Sequence, residues 1–254
     1  MTELVLLCFL ALIAGFIDAI AGGGGLIQLP AYFILMPNFS TASLFGSNKF
    51  AGFSGTLMST IQYLKKVKAE WKLIMPSLFV AGLSALAGAR LVSLFDKEKL
   101  APVIVVLLIA MLIYTVMNSS TGIQDRREEV SKKRISWILP LSAAIIGFYD
   151  GFFGPGAGSL LMFVFISFLK YDFLHAAVHT KIFNLVTNVG ALLYFVVKGE
   201  VHYDVAIPVA VCNVTGSYLG AKLAISKGSG LIRVIYIMMV VVLISKIVYD
   251  YIIK

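Results

Sequence analysis

Asp18 and Lys49 lie in stretches otherwise almost free of charge, and 132 residues further on Asp150 and Lys181 do the same. An acid withdrawn from water near a helix C-terminus is kept from ionising by desolvation and by the helix dipole, so it can carry a proton or neutralise a neighbouring base. A withdrawn ammonium supplies countercharge for an anion. Each aspartate precedes a glycine run, Gly22-Gly23-Gly24-Gly25 after Asp18 and Gly154-Pro155-Gly156-Ala157-Gly158 after Asp150. Such runs interrupt a helix. The helix that restarts offers free N–H groups and the positive end of its dipole, which is an anion site needing no side chain. Gly24, Gly25, Gly156 and Gly158 are therefore candidate substrate-binding positions, with Lys49 and Lys181 as countercharge and Asp18 and Asp150 as coupling groups. Three plainer readings compete: close helix packing through the glycines, capping of the broken backbone by the aspartates, and snorkelling of the lysines to the headgroups.

The surroundings of Lys181 weigh against snorkelling. His179, Thr180, Asn184, Thr187 and Asn188 follow one another closely in sequence. Asn184 and Asn188 share one helix face. With Thr187 and Lys181 they form a polar stripe inside an apolar segment, and such stripes face a pathway or a bundle interior.

The elements that hold these residues are duplicated. GFIDAIAGGGGL at 15–26 lies over GFYDGFFGPGAG at 147–158, and the register continues through Lys66 and Lys198, Pro76 and Pro208, and Gly88-Ala89-Arg90-Leu91 over Gly220-Ala221-Lys222-Leu223. Duplicated membrane segments that repeat a buried acid, a glycine break and a buried base are the layout of a transporter.

Composition agrees. Of 254 residues 59% are apolar and only 13% charged, with a mean hydropathy of +0.94, whereas soluble domains are about a quarter charged. The apolar runs are continuous, which excludes a barrel and predicts an all-α polytopic membrane protein. Met1-Thr2-Glu3 lacks the basic start of a cleaved signal, so residues 4–20 read as the first membrane helix. Cys8 and Cys212 are unmatched in the repeat and read as packing residues. The net charge of +8 resides in short loops between spans, so it reports topology rather than nucleic-acid binding.

Five apolar pieces are expected in each repeat: 4–20, 25–36, 44–64, 72–94 and 100–117, then 136–153, 158–169, 177–197, 203–225 and 230–252. The first repeat thus spans 1–117, a cytoplasmic linker 118–135, and the second repeat 136–254. Two pieces, 25–36 and 158–169, are only about half a bilayer long as helices. If they cross, the repeats are inverted; if they re-enter from one side, the repeats are parallel. Charge bias decides. Lys65-Lys66-Val67-Lys68 is strongly basic, its counterpart Lys198 to Asp204 is not, and the next loop gains Lys222, Lys227 and Arg233. The bias swaps sides, so inverted repeats with both termini outside are expected.

Gly52-Phe53-Ser54-Gly55 matches the GxSG of rhomboid proteases, but a catalytic serine needs a histidine base. His175, His179 and His202 lack the sequence setting of that family, and Ser54 belongs to no repeated feature. An enzyme is not expected. No metal or cofactor motif is present.

Taken together, GFIDAIAGGGGLIQLP, GSNKFAGFSGT, GFYDGFFGPGAGS, HTKIFNLVTNVGALLYFVVKGEV and GSYLGAKLAISKGSGLIRV resemble the sulfite exporter TauE/SafE family of membrane permeases over nearly the whole chain. The resemblance implies transport of sulfite, sulfonates or other sulfur-containing anions across the inner membrane, and leaves substrate and direction open. One departure is Pro155 in place of the matched Gly23. The expected protein is a secondary transporter of a small anion in contact with the lipid bilayer, with proton coupling and a homodimer compatible with the sequence. A passive anion channel is the alternative.

Overall fold

The computed structural model describes residues 2–92 and 124–238. Nine α-helices are described: α1 (Thr2–Ala21), α2 (Gly25–Leu35), α3 (Thr41–Leu64), α4 (Trp71–Leu91), α5 (Lys132–Phe152), α6 (Ala157–Phe163), α7 (Phe173–Val197), α8 (Tyr203–Lys227) and α9 (Ser229–Met238). The piece expected at 100–117 and most of that at 230–252 lie outside the described residues.

Three helices begin earlier than hydropathy alone predicts, because polar caps start them. The Ser40 hydroxyl accepts from the Ser43 N–H before α3, Ser131 from Arg134 before α5, and Asp172 from His175 before α7. A cap satisfies a backbone donor that the helix leaves free, so the helix extends back through residues too polar for a hydropathy window. The second short piece also differs from a plain helix: α6 runs for seven residues and continues as a π-helical turn, Val164–Phe168.

α1, α4, α5 and α7 are long and apolar enough to cross a membrane by length and composition. α3 and α8 are as long but more polar, and they turn Lys49, Thr56, Asn213 and Ser217 inward. Large apolar side chains point outward instead, among them Phe9, Phe79, Trp137, Leu141 and Val211. Polar inside and apolar outside is the distribution that lipid requires.

The two halves pack through each other. α1 lies along α8, and α5 along α4. A Cβ on Gly220 would meet the Phe16 carbonyl oxygen at 2.3 Å, and at the equivalent place one on Gly88 would meet that of Phe148 at 2.1 Å. These approaches admit only glycine, so the matched glycines do serve packing. They also report helix direction. Leu12 meets Gly216 and Phe16 meets Gly220, so α1 and α8 run the same way. Gly147 meets Ala81 and Gly151 meets Ala85, so α4 and α5 do too. Across the centre, Asn188 reaches Thr56 and the Lys181 carbonyl accepts from Thr60, so α3 and α7 are antiparallel. Equivalent helices therefore point in opposite directions, and the repeats are inverted. α2 doubles back beside α1, with Gly24 against Ala14 and Tyr32 in one apolar cluster with Leu7.

Candidate functional site

Both glycine breaks meet at the centre of the molecule: a Cβ on Gly22 would lie 2.7 Å from the Gly158 carbonyl carbon. Their backbones differ in a way that the proline dictates. Gly22 and Gly23 have φ of +74° and +96° while Gly24 has −55°; in the other break Gly154 and Gly156 have +93° and +84°. Proline cannot take a positive φ, so at Pro155 the left-handed step moves one residue on, to Gly156.

Two ion pairs flank the breaks. The Lys49 ammonium lies 2.8 Å from Asp150 Oδ1, and the Lys181 ammonium 2.6 Å from Asp18 Oδ2. Each pairs a lysine of one repeat with an aspartate of the other, so the two bridges are images of each other under the repeat. Lys49, Lys181 and Asp150 are buried, and Asp18 is partly so. Lys49 also donates to Asn188 Oδ1 at 3.3 Å, and the Thr187 hydroxyl donates to Asp150 Oδ2. The Gly24 N–H donates to Asp18 Oδ1 at 3.1 Å. Asp18 is thus both the cap of its broken helix and an ion-pair partner, so two competing readings hold at once.

Between the breaks lies a cavity of about 60 Å³, room for about four waters or one small anion. Of the residues singled out in sequence, Asp18, Gly24, Gly25, Lys49, Asp150, Gly156, Gly158, Asn184 and Asn188 line it. Lys181 and Thr187 do not. They stand one bond behind it, because Asp18 occupies the Lys181 ammonium and Thr187 turns to Asp150. The Asn184 side-chain oxygen is buried with no partner among the described residues. Gln28, Asn48, Thr56 and Asn213 also line the cavity and were not singled out as site residues. Thr56 had a signal, since it matches Asn188 in the repeat; Gln28 and Asn213 match Leu160 and Ala81, so a search for repeated features passes over them.

Ser54 is engaged elsewhere, its hydroxyl donating to the Phe50 carbonyl one turn back at 2.9 Å. His175 bonds Asp172, His179 accepts from the Glu70 N–H, and His202 stacks on Phe39.

Broken helices that meet at a central cavity between inverted repeats recur in membrane transporters, and comparison with known proteins decides the family. The model of the sulfite exporter TauE/SafE family matches residues 7–247. The chain belongs to this family. It is 32% identical over 249 residues to a "Probable membrane transporter protein" of Haemophilus influenzae, covering 97% of this chain and 95% of that one. It is 32% identical over 247 residues to "Probable membrane transporter protein YfcA" of Escherichia coli K12, covering 96% and 89%. A Sinorhizobium protein, "Probable membrane transporter protein ORF9", is 32% identical over 248 residues, covering 96% and 93%. No solved structure matches. The chain is a membrane transporter and not an enzyme.

Proposed function

We propose that this transporter is a proton-coupled carrier of small sulfur-containing anions, sulfite or an organosulfonate, and that the cavity between the glycine breaks is its site. The crossed ion pairs carry this reading. Both lysines are already bound to aspartates, so an anion gains countercharge only by taking a lysine from its acid. The aspartate left behind would be a stranded charge in low dielectric, and a proton carried together with the anion neutralises it. Gly25 and Gly158 bring backbone to the same cavity, and Asn184 and Asn188 complete the hydrogen bonds. Access alternates as one repeat rocks against the other.

Lys49→Gln tests the anion site. A charge-assisted hydrogen bond is worth about 1.5–3 kcal/mol, so sulfite binding to the purified variant should weaken roughly ten- to a hundredfold. Unchanged affinity in a folded variant would remove Lys49 from the site.

The basic loop Lys65–Lys68 and the linker lie at one end of the bundle, joined by Arg127 to Glu70 at 2.5 Å. Positive charge favours the cytoplasm, so we place this end inside, in a cell inner membrane, and the start of α1 outside. A cysteine at Gly199, introduced after Cys8 and Cys212 are replaced, should react with an impermeant thiol reagent in intact cells. One at Lys66 should not. The reverse pattern would invert the orientation.

A further inference from the structure

We infer that Gln28 and Asn213 form a second recognition point, which makes the cavity select an organic oxyanion bearing a separate oxygen function and hold it in one orientation. The inference rests on the anion reading above and adds the substrate class.

The observation behind it is a break in the two-fold symmetry. Asp18 and Asp150, Gly24 and Gly156, and Thr56 and Asn188 all meet the cavity as matched pairs. Gln28 and Asn213 line it without polar partners in the other repeat. Their counterparts, Leu160 and Ala81, belong to the apolar core. One wall of the site, built from α2 and α8, is therefore polar where its symmetry mate is hydrocarbon.

Both carboxamides are deeply buried, Gln28 at 2% and Asn213 at 5% exposure. The hydrogen bonds between them fix which atoms remain for an occupant. Asn213 Nδ2 donates to Gln28 Oε1 at 2.5 Å, and Ser217 donates to Asn213 Oδ1 at 3.3 Å. The acceptor of Gln28 is thereby engaged. Its Nε2 makes one long contact, 3.5 Å to the Asn48 carbonyl, and a carboxamide nitrogen carries two N–H donors. At least one has no partner among the described residues and is left for the cavity. The Lys49 ammonium is held by Asp150 of α5 and Asn188 of α7, whereas the Gln28 donor stands on α2 beside Asn213 of α8, so the two are separate points of attachment. An oxyanion would take the first, and a hydroxyl or carbonyl oxygen on the same molecule the second. Leaving a buried donor unmatched is unfavourable, so an anion without that oxygen is discriminated against.

The probes are 2-hydroxyethanesulfonate and ethanesulfonate, which differ by one hydroxyl, bound to the purified full chain and measured by calorimetry. The wild type should bind the hydroxylated sulfonate about tenfold more tightly. Gln28→Leu, which copies the counterpart Leu160, should reduce that ratio to about one. Gln28→Glu keeps the acceptor for Asn213 but loses the N–H donor, so it should also abolish the preference even if both affinities fall, and it serves if the leucine variant does not fold. A wild-type ratio near one, or an undiminished ratio in the glutamate variant, overturns the inference while leaving the anion site standing. Binding of neither sulfonate by the wild type overturns the anion reading, and this inference with it.

Discussion

Lys49 and Lys181 each reach across the repeat boundary to an aspartate, and this exchange joins four isolated residues into two matched ion pairs. A lone ammonium or carboxylate in low dielectric is costly, and removing one member of a buried pair costs about 3–5 kcal/mol because the other is stranded. Asp150→Asn should therefore lower the thermal stability of the purified protein, and so should Lys49→Gln. The double variant should regain much of the loss, because the stranded charge is gone. Additive losses would mean that the two residues act independently. At this scale the sequence was legible as far as residue type and spacing. The matched acids and bases point to one buried site, but spacing along a chain cannot tell whether Lys49 pairs with Asp18 of its own repeat or with Asp150 of the other. That choice is made by helix packing. For the same reason Lys181 was expected at the cavity and lies behind it, spent on Asp18.

The helices show why glycine serves two different purposes here. At Gly15, Gly88, Gly216 and Gly220 the neighbouring helix backbone occupies the space that a side chain would need. A Cβ on Gly216 would come within 2.0 Å of the Leu12 carbonyl oxygen, so Gly216→Val must separate α1 from α8. We expect loss of folded protein on size-exclusion chromatography, since overpacking at a backbone contact costs at least about 1–3 kcal/mol. Gly52 lines the cavity and has nothing within 4 Å of its Cβ position. Gly52→Ala should fold normally and still reduce substrate affinity by narrowing the site. Helix positions were legible from hydropathy, because each apolar run had to satisfy its backbone internally. Helix starts were less so, since Ser40, Ser131 and Asp172 cap through side-chain geometry that hydropathy does not register. The Asp172 cap lies outside the spans. Burial works against its charge, but hydrogen bonds from His175 and Ser229 hold its carboxyl below the ordinary carboxylate range. A lowered value means that the cap persists at neutral pH and is lost only as pH falls through that depressed value.

Over the whole molecule, inversion was legible from charge bias, and the helix directions agree with it. The inequivalence of the two ends was not. Two matched hydrogen bonds close them: the Glu70 N–H donates to His179 on α7 at 3.3 Å, and the His202 N–H donates to Ser47 on α3 at 3.1 Å. The first is reinforced by Arg127 of the linker and by Tyr171 just before α7, both bonded to the Glu70 carboxylate. At the second, Glu200 accepts from Ser40 and Ser43. Nearly symmetric halves closed by different end contacts can favour one facing of the transporter over the other, and in the proposed mechanism the central ion pairs link that change to substrate. The most direct measurement is sulfite uptake into proteoliposomes under an imposed inward proton gradient, with lumenal pH followed at the same time. Proton-coupled transport requires accumulation above the external concentration, acidification of the lumen with each anion carried, and loss of both in Asp150→Asn. Saturable uptake that stops at equal concentrations and leaves the pH profile identical in wild type and Asp150→Asn would contradict it, and would make the protein a passive pathway.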